Sequence, residues 1–268
     1  MSNPHPLHRS FVGVIVLFTL SLSAKAQTLR IDTIACTADD SAYTAIMIKH
    51  EGQLYNQAFN THNNDTATIR VVLYGNLKTY KQAVKATGTK QLTNGSYIVQ
   101  LNKCLVFKND LTAHTILSAA SNNLLQNNYP GAPRWLTEGF ASVVSYMDDD
   151  GKGQPIYVPL YDYNKQVKDM MWNKSGEAPD MNVFDYAFMD NNPDWNGVYR
   201  KAKLQALSYG VVYFLVVRHP EHLAPVILAL KQGHTAQDAL AAAFGTFEDF
   251  KSQFSFYYKY SAKSKFSM

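Results

Sequence analysis

His114 and Glu138 are the residues of this chain whose types and spacing could hold a metal ion. An imidazole nitrogen and a carboxylate oxygen are ordinary zinc ligands, and a hydrolytic zinc site needs three such groups plus one open position for water. In the helical pattern His-Glu-x-x-His, the two imidazoles lie four residues apart on one face. The Glu beside the first His is the general base. Here the five residues are His114-Thr115-Ile116-Leu117-Ser118. Thr115 has no useful basicity near neutral pH, and Ser118 is a poor zinc ligand. One nitrogen at His114 and one carboxylate at Glu138 remain, which is an incomplete set.

Other groups are weighed against that pair. Asp148, Asp149 and Asp150, and Tyr209 further on, are the residues placed to supply a missing ligand or base. As a calcium loop the aspartate run lacks the ligand spacing and the terminal Glu, so a solvated turn is expected. His50-Glu51 is followed by Gly52-Gln53-Leu54 and lacks a second His, so His50 is expected to be a solvated helix residue. Glu138, flanked by Trp135, Leu136 and Phe140, is expected to be partly buried and bonded directly to His114.

The elements that must position these groups are readable from periodicity. Leu29 to Ile34 reads as a short strand. A helix capped at Asp39, Asp40 or Ser41 runs to Phe59, with Tyr43, Ile46, Met47, Leu54 and Phe59 as its apolar positions. Thr66 to Tyr74 is a β-branched strand, Leu77 to Ala86 a helix with Tyr80 and Val84 on one face, and Asn94-Gly95 a hairpin-turn signal. Two short strands, Ser96 to Leu101 and Leu105 to Phe107, follow as an antiparallel meander. The His114 helix then runs from a cap at Asn109 or Asp110 to Asn127 and Asn128, with Leu117, Ala120 and Leu124 as its core stripe. Pro133 opens the Glu138 helix. Residues 148–199 read as a long irregular segment. Helices at Ala202 to Arg218, Pro220 to about Gly233, Ala236 to Phe244 and Phe247 to Tyr260 complete the chain.

The run Pro133-Arg134-Trp135-Leu136-Thr137-Glu138-Gly139-Phe140-Ala141, downstream of His114, resembles the Trp-Leu-x-Glu-Gly-x-Ala run of the peptidase MA-like, gluzincin-type zinc metallopeptidases. Strand Ile69 to Tyr74 and the C-terminal helices, with Ala239-Leu240, Phe244-Gly245 and Phe247-Glu248-Asp249-Phe250, are similar to that family at the level of pattern. The resemblance implies an α+β, zincin-like fold: a small mixed or antiparallel N-terminal sheet with helices, the motif helix, and a mostly helical C-terminal part. It implies an N-terminal lobe over 27–130 and a helical lobe over 131–268. It places His114 at the first metal ligand and Glu138 at the third, with Thr115 in place of the catalytic Glu and Ser118 in place of the second His. Zinc is then a cofactor by resemblance only. The expected protein is a catalytically inactive, peptidase-like one that binds a peptide or protein. The alternative is a divergent zinc peptidase that recruits a ligand or base from elsewhere in the chain.

Composition narrows the remaining classes. Of 268 residues, 46% are hydrophobic and 17% charged, which suits a globular protein with a large core. Met1 to Ala26 has a short basic lead, an apolar run from Phe11 to Leu22 and the small-residue pattern Ala24-Lys25-Ala26. That describes a cleaved signal peptide and a secreted or periplasmic protein, with no membrane span after cleavage. Cys36 and Cys104 are a disulfide candidate in that compartment, with two buried thiols as the alternative. The formal charge of +4 falls by two when Arg9 and Lys25 leave with the leader, too little to favour nucleic acid. No G-x-S-x-G elbow, P-loop, dinucleotide fingerprint or C-x-x-C pair occurs.

Overall fold

The computed structural model describes residues 28–35, 41–89, 93–172, 183–189, 191–196 and 198–261. The leader expected over Met1 to Ala26, Cys36 and the caps expected at Asp39 and Asp40 lie outside them. The chain is a mixed α+β protein, mostly helical, with a small mixed sheet. The sheet is built from β1 (Thr28–Ile34), β2 (Thr68–Tyr74), β3 (Gly95–Ile98) and β4 (Lys103–Phe107) in the order β1-β2-β4-β3. β1–β2 and β2–β4 are parallel, and β3–β4 is antiparallel. Parallel neighbours need crossovers, which α1 (Ser41–Phe59) and α2 (Leu77–Ala86) supply. Asn76 starts α2 by accepting hydrogen bonds from the backbone amides of Lys78 and Thr79 at 2.9 and 3.1 Å.

Alternation along the strands sorts the sheet into two faces. Val71, Leu73, Cys104 and Val106 enter the main core. Val72, Tyr74 and Leu105 face the other way, onto Tyr80 and Val84 of α2. The Asn94-Gly95 expectation is corrected here. The β3–β4 connection is the 3-10 turn Val99–Leu101 followed by Asn102 at φ 47°, and Gly95 is the first residue of β3.

The apolar stripe expected on α1 is also rotated. Met47, Ile48, Glu51, Leu54, Tyr55 and Ala58 are buried, whereas Tyr43 and Ile46 are exposed. That places His50 and Glu51 inside, so the solvated His50 is a second correction. Its Nε2 meets Asp149 at 2.6 Å and its Nδ1 meets Gln53 at 3.2 Å. The His50 imidazole beside Asp149 holds that carboxyl below its usual range.

The rest of the chain is α3 (Thr112–Asn128), α4 (Arg134–Ser145), the hairpin β5 (Met147–Asp149) and β6 (Pro155–Tyr157), α5 (Tyr161–Met171) and α6 (Val183–Phe188). α7 (Val198–Arg218), α8 (Pro220–Lys231), α9 (Ala236–Phe244) and α10 (Phe247–Phe256) follow. The segment expected to be irregular thus holds a hairpin and an eleven-residue helix, α5, that buries Asn164, Val167 and Met171. A polar residue on its buried stripe hid that helix from a reading of apolar spacing. α7 is apolar nearly all round from Leu204 to Leu215, and α4, α5 and α8 pack against it. Thr235 and Thr246 cap α9 and α10 by accepting from the amides of Asp238 and Asp249. Among the described residues no helix is long and apolar enough to cross a membrane.

Candidate functional site

A cavity of about 590 Å³ opens between the edge strand β3, α3, α4 and the first turns of α7. Ser118 and Asn122 of α3, Glu138 of α4, and Lys201 and Gln205 of α7 line it, with β3 along one side. Residues of both α3 and α4 therefore line one cleft.

Ser118 and Glu138 line this cavity, whereas His114 and Thr115 do not. Glu138 accepts a hydrogen bond from Gln205 Nε2 at 3.0 Å and stands 3.7 Å from Arg134 one turn earlier. The expected bond to His114 is not made. His114 Nδ1 lies 2.5 Å from the carbonyl oxygen of Ser145, and its ring stacks on Tyr146 with centroids 4.4 Å apart. Ser145 is seven residues beyond Glu138, roughly 10 Å along the α4 axis. His114 thus sits beside the end of α4 and Ser118 beside its middle. The donor at Nδ1 leaves Nε2 as the acceptor nitrogen, the tautomer a metal-bound His adopts. The remaining donors do not fit a zinc ion, because they are a hydroxyl at Ser118 and a carboxylate already engaged by Gln205 and Arg134.

Thr115 donates its hydroxyl to Leu111 O at 2.9 Å, and its methyl lies under β3. A Cβ on Gly95 would come within 2.3 Å of Thr115 Cγ2 and 3.3 Å of Val106 Cγ2. Gly95 is therefore required by α3's close approach to the edge strand, which no local turn signal could reveal. Gly95→Ala is expected to destabilise by about 1–3 kcal/mol, the range for overpacking. Adding Thr115→Ala should recover most of the loss in a chemical-denaturation double-mutant cycle. Equal and additive losses would mean that the contact is not the cause.

The groups expected to stand in for a missing ligand or base are bonded to other partners. Asp148 accepts from Tyr43 OH at 3.0 Å, Asp149 pairs with His50, and Asp150 accepts from the amides of Lys152 and Gln154 inside the β5–β6 turn. Tyr209 is buried, and its hydroxyl accepts from the Leu160 amide at 2.9 Å. Cys104 is a buried free thiol, pushed up to about 12 by burial and then by nearby Glu51, while Cys36 lies outside the described residues.

Sequence reasoning missed Gln205, Lys201 and the β3 edge. The order of bonding in β3 gives that edge its character. Phe107 N–H bonds Asn94 O at 2.7 Å, so with Gly95 opposite Val106 the bonded pairs recur at Ser96 and Ile98. The amide and carbonyl of Tyr97 therefore point away from β4, along the free side of the strand. No family profile matches the chain, and no curated protein matches it in sequence.

Proposed function

We propose that this is a secreted or periplasmic protein of zincin-like, gluzincin-type fold whose zinc site is disabled, and that it binds extended peptide segments without cutting them. The observation that carries the proposal is the cleft itself: the edge strand β3, with the outward amide and carbonyl of Tyr97, beside a cavity lined by Ser118 and an already bonded Glu138. An edge strand gives main-chain bonds to any extended peptide, and pockets beside it select side chains. Lys201 and Glu138 offer one charge of each sign for that selection. The second reading, a divergent zinc peptidase, draws on the free Nε2 of His114 and predicts zinc-dependent cleavage.

The test passes a digest of a denatured, reduced casein over the immobilised protein and measures the retained peptides, resynthesised with a fluorophore, by anisotropy. Saturable binding without cleavage is expected. Tyr97→Pro, which removes an outward amide at a position where an edge strand tolerates Pro, should weaken binding more than Tyr97→Ala, which loses the same ring but keeps the amide. Failure to retain any peptide refutes the binding role. Cleavage that needs zinc and disappears with His114→Ala or Glu138→Ala establishes the second reading.

A further inference from the structure

Far from the motif cleft in sequence, where α7 hands over to α8, His219, Glu221 and His222 bring one donor atom each within 4.8 Å of one another. They are the only such group of three among the described residues. Glu221 Oε1 lies 3.2 Å from His219 Nδ1 and 3.7 Å from His222 Nε2. Around a tetrahedral ion with bonds of about 2.0–2.1 Å, neighbouring ligand atoms stand about 3.3 Å apart. The spacings present are close to those edges, so small side-chain adjustments would close the set.

The scaffold holds both rings ready. Pro220 fixes the backbone between His219 and Glu221 at the start of α8, and His222 N–H bonds His219 O at 2.9 Å. The two imidazoles stack at 5.5 Å and 14°. Both pack on Phe244 of α9, at 5.1 and 4.5 Å, and His219 also packs on Phe214 of α7 at 4.7 Å. Glu221 is mostly exposed, so the outward side of the cluster faces solvent.

We infer that His219, Glu221 and His222 form a binding site for a divalent transition metal of the zinc class, independent of the His114 motif, with water completing the coordination. Two imidazoles and one carboxylate make a borderline-soft donor set that favours zinc or cobalt over calcium or magnesium. The positive end of the α8 dipole opposes a cation there, and the Glu221 carboxylate offsets it. Bound metal would tie the end of α7 to the first turn of α8 and, through Phe244, to α9.

The experiment titrates the metal-free protein with Zn²⁺ in competition with a chromogenic chelator, and in parallel with Co²⁺ read by its visible d–d bands. One equivalent is expected to bind, with a rise in thermal midpoint through mass action. Glu221→Gln keeps the shape of an exposed side chain and serves as the fold-safe variant. It should weaken binding by more than about tenfold and abolish the thermal shift, and His222→Asn should do the same. No saturable Zn²⁺ binding by the parent, or binding unchanged in Glu221→Gln, overturns the assignment. Binding lost instead with His114→Ala overturns both this site and the proposed disabled motif, whereas binding that survives His114→Ala but not Glu221→Gln supports both.

Discussion

Gly139→Ala should lower the thermal midpoint by roughly 2–4 °C, as a net loss of about 1 kcal/mol gives in a chain of this size. A Cβ at Gly139 would meet the carbonyl oxygen of Ser208 at 2.5 Å and Val212 Cγ2 at 2.5 Å. The first of these is backbone and cannot swing aside, so α4 and α7 would have to separate. Overpacking of this kind costs about 1–3 kcal/mol or more. Helix propensity works in the other direction, favouring Ala over Gly by about 1 kcal/mol. A denaturation series therefore decides between them: a stabilised or unchanged variant would mean that α7 does not approach as closely as described. Val212→Ala in the same background should restore only part of the loss, because it relieves one contact and leaves Ser208 O in place. Gln205 lies one turn before Ser208 on α7, so separation of the helices should also loosen its bond to Glu138 and weaken peptide binding in the cleft.

Glu51→Gln should stabilise the protein increasingly as pH rises above the ordinary carboxyl range. Glu51 is fully buried on α1, neither carboxylate oxygen has a hydrogen-bond partner, and burial raises its carboxyl well above the usual range. Its charge is felt by Tyr55, Cys104 and Tyr157, all buried or nearly so. A raised carboxyl keeps in the folded state a proton that the unfolded chain releases above the model value of 4.5. Stability then falls with pH by about 1.4 kcal/mol per unit from there up to the folded pKa. Gln carries no such proton, so the two proteins should have similar stability near pH 4 and diverge steadily above it. Urea midpoints at several pH values measure this directly. A difference that stays flat across pH would show that Glu51 ionises in the folded protein and has found a partner in the core.

Much of the architecture was legible because it is local. Helix α2 from Leu77 to Ala86, with Tyr80 and Val84 on one face, and the helices starting at Pro220, Ala236 and Phe247 follow from spacing and termini that neighbouring residues settle among themselves. The partial burial expected of Glu138 also follows locally, since Trp135, Leu136 and Phe140 beside it are buried. The site was legible only in its vacancies, since Thr115 and Ser118 lack a base and a nitrogen whatever surrounds them.

Where the reading failed, the missing information was long-range. α1 offers apolar residues on more than one side, so packing against α3 and α8 chose the face that buries Glu51 and left Tyr43 and Ile46 outside. Gly95 resembles a turn glycine, but it serves a close approach by Thr115 twenty residues later. His114 and Glu138 were expected to meet because both are polar groups of one motif. Ser145 and Gln205 reached them first, the latter across 67 residues of chain. The sequence by itself determined most of the helices, and that Thr115 and Ser118 offer neither a strong base nor a zinc-binding nitrogen. Only the tertiary structure decided what the surviving motif residues bond to, where the open cleft lies, and that His219, Glu221 and His222 gather at the α7–α8 corner, because side-chain contacts between distant elements depend on how those elements pack.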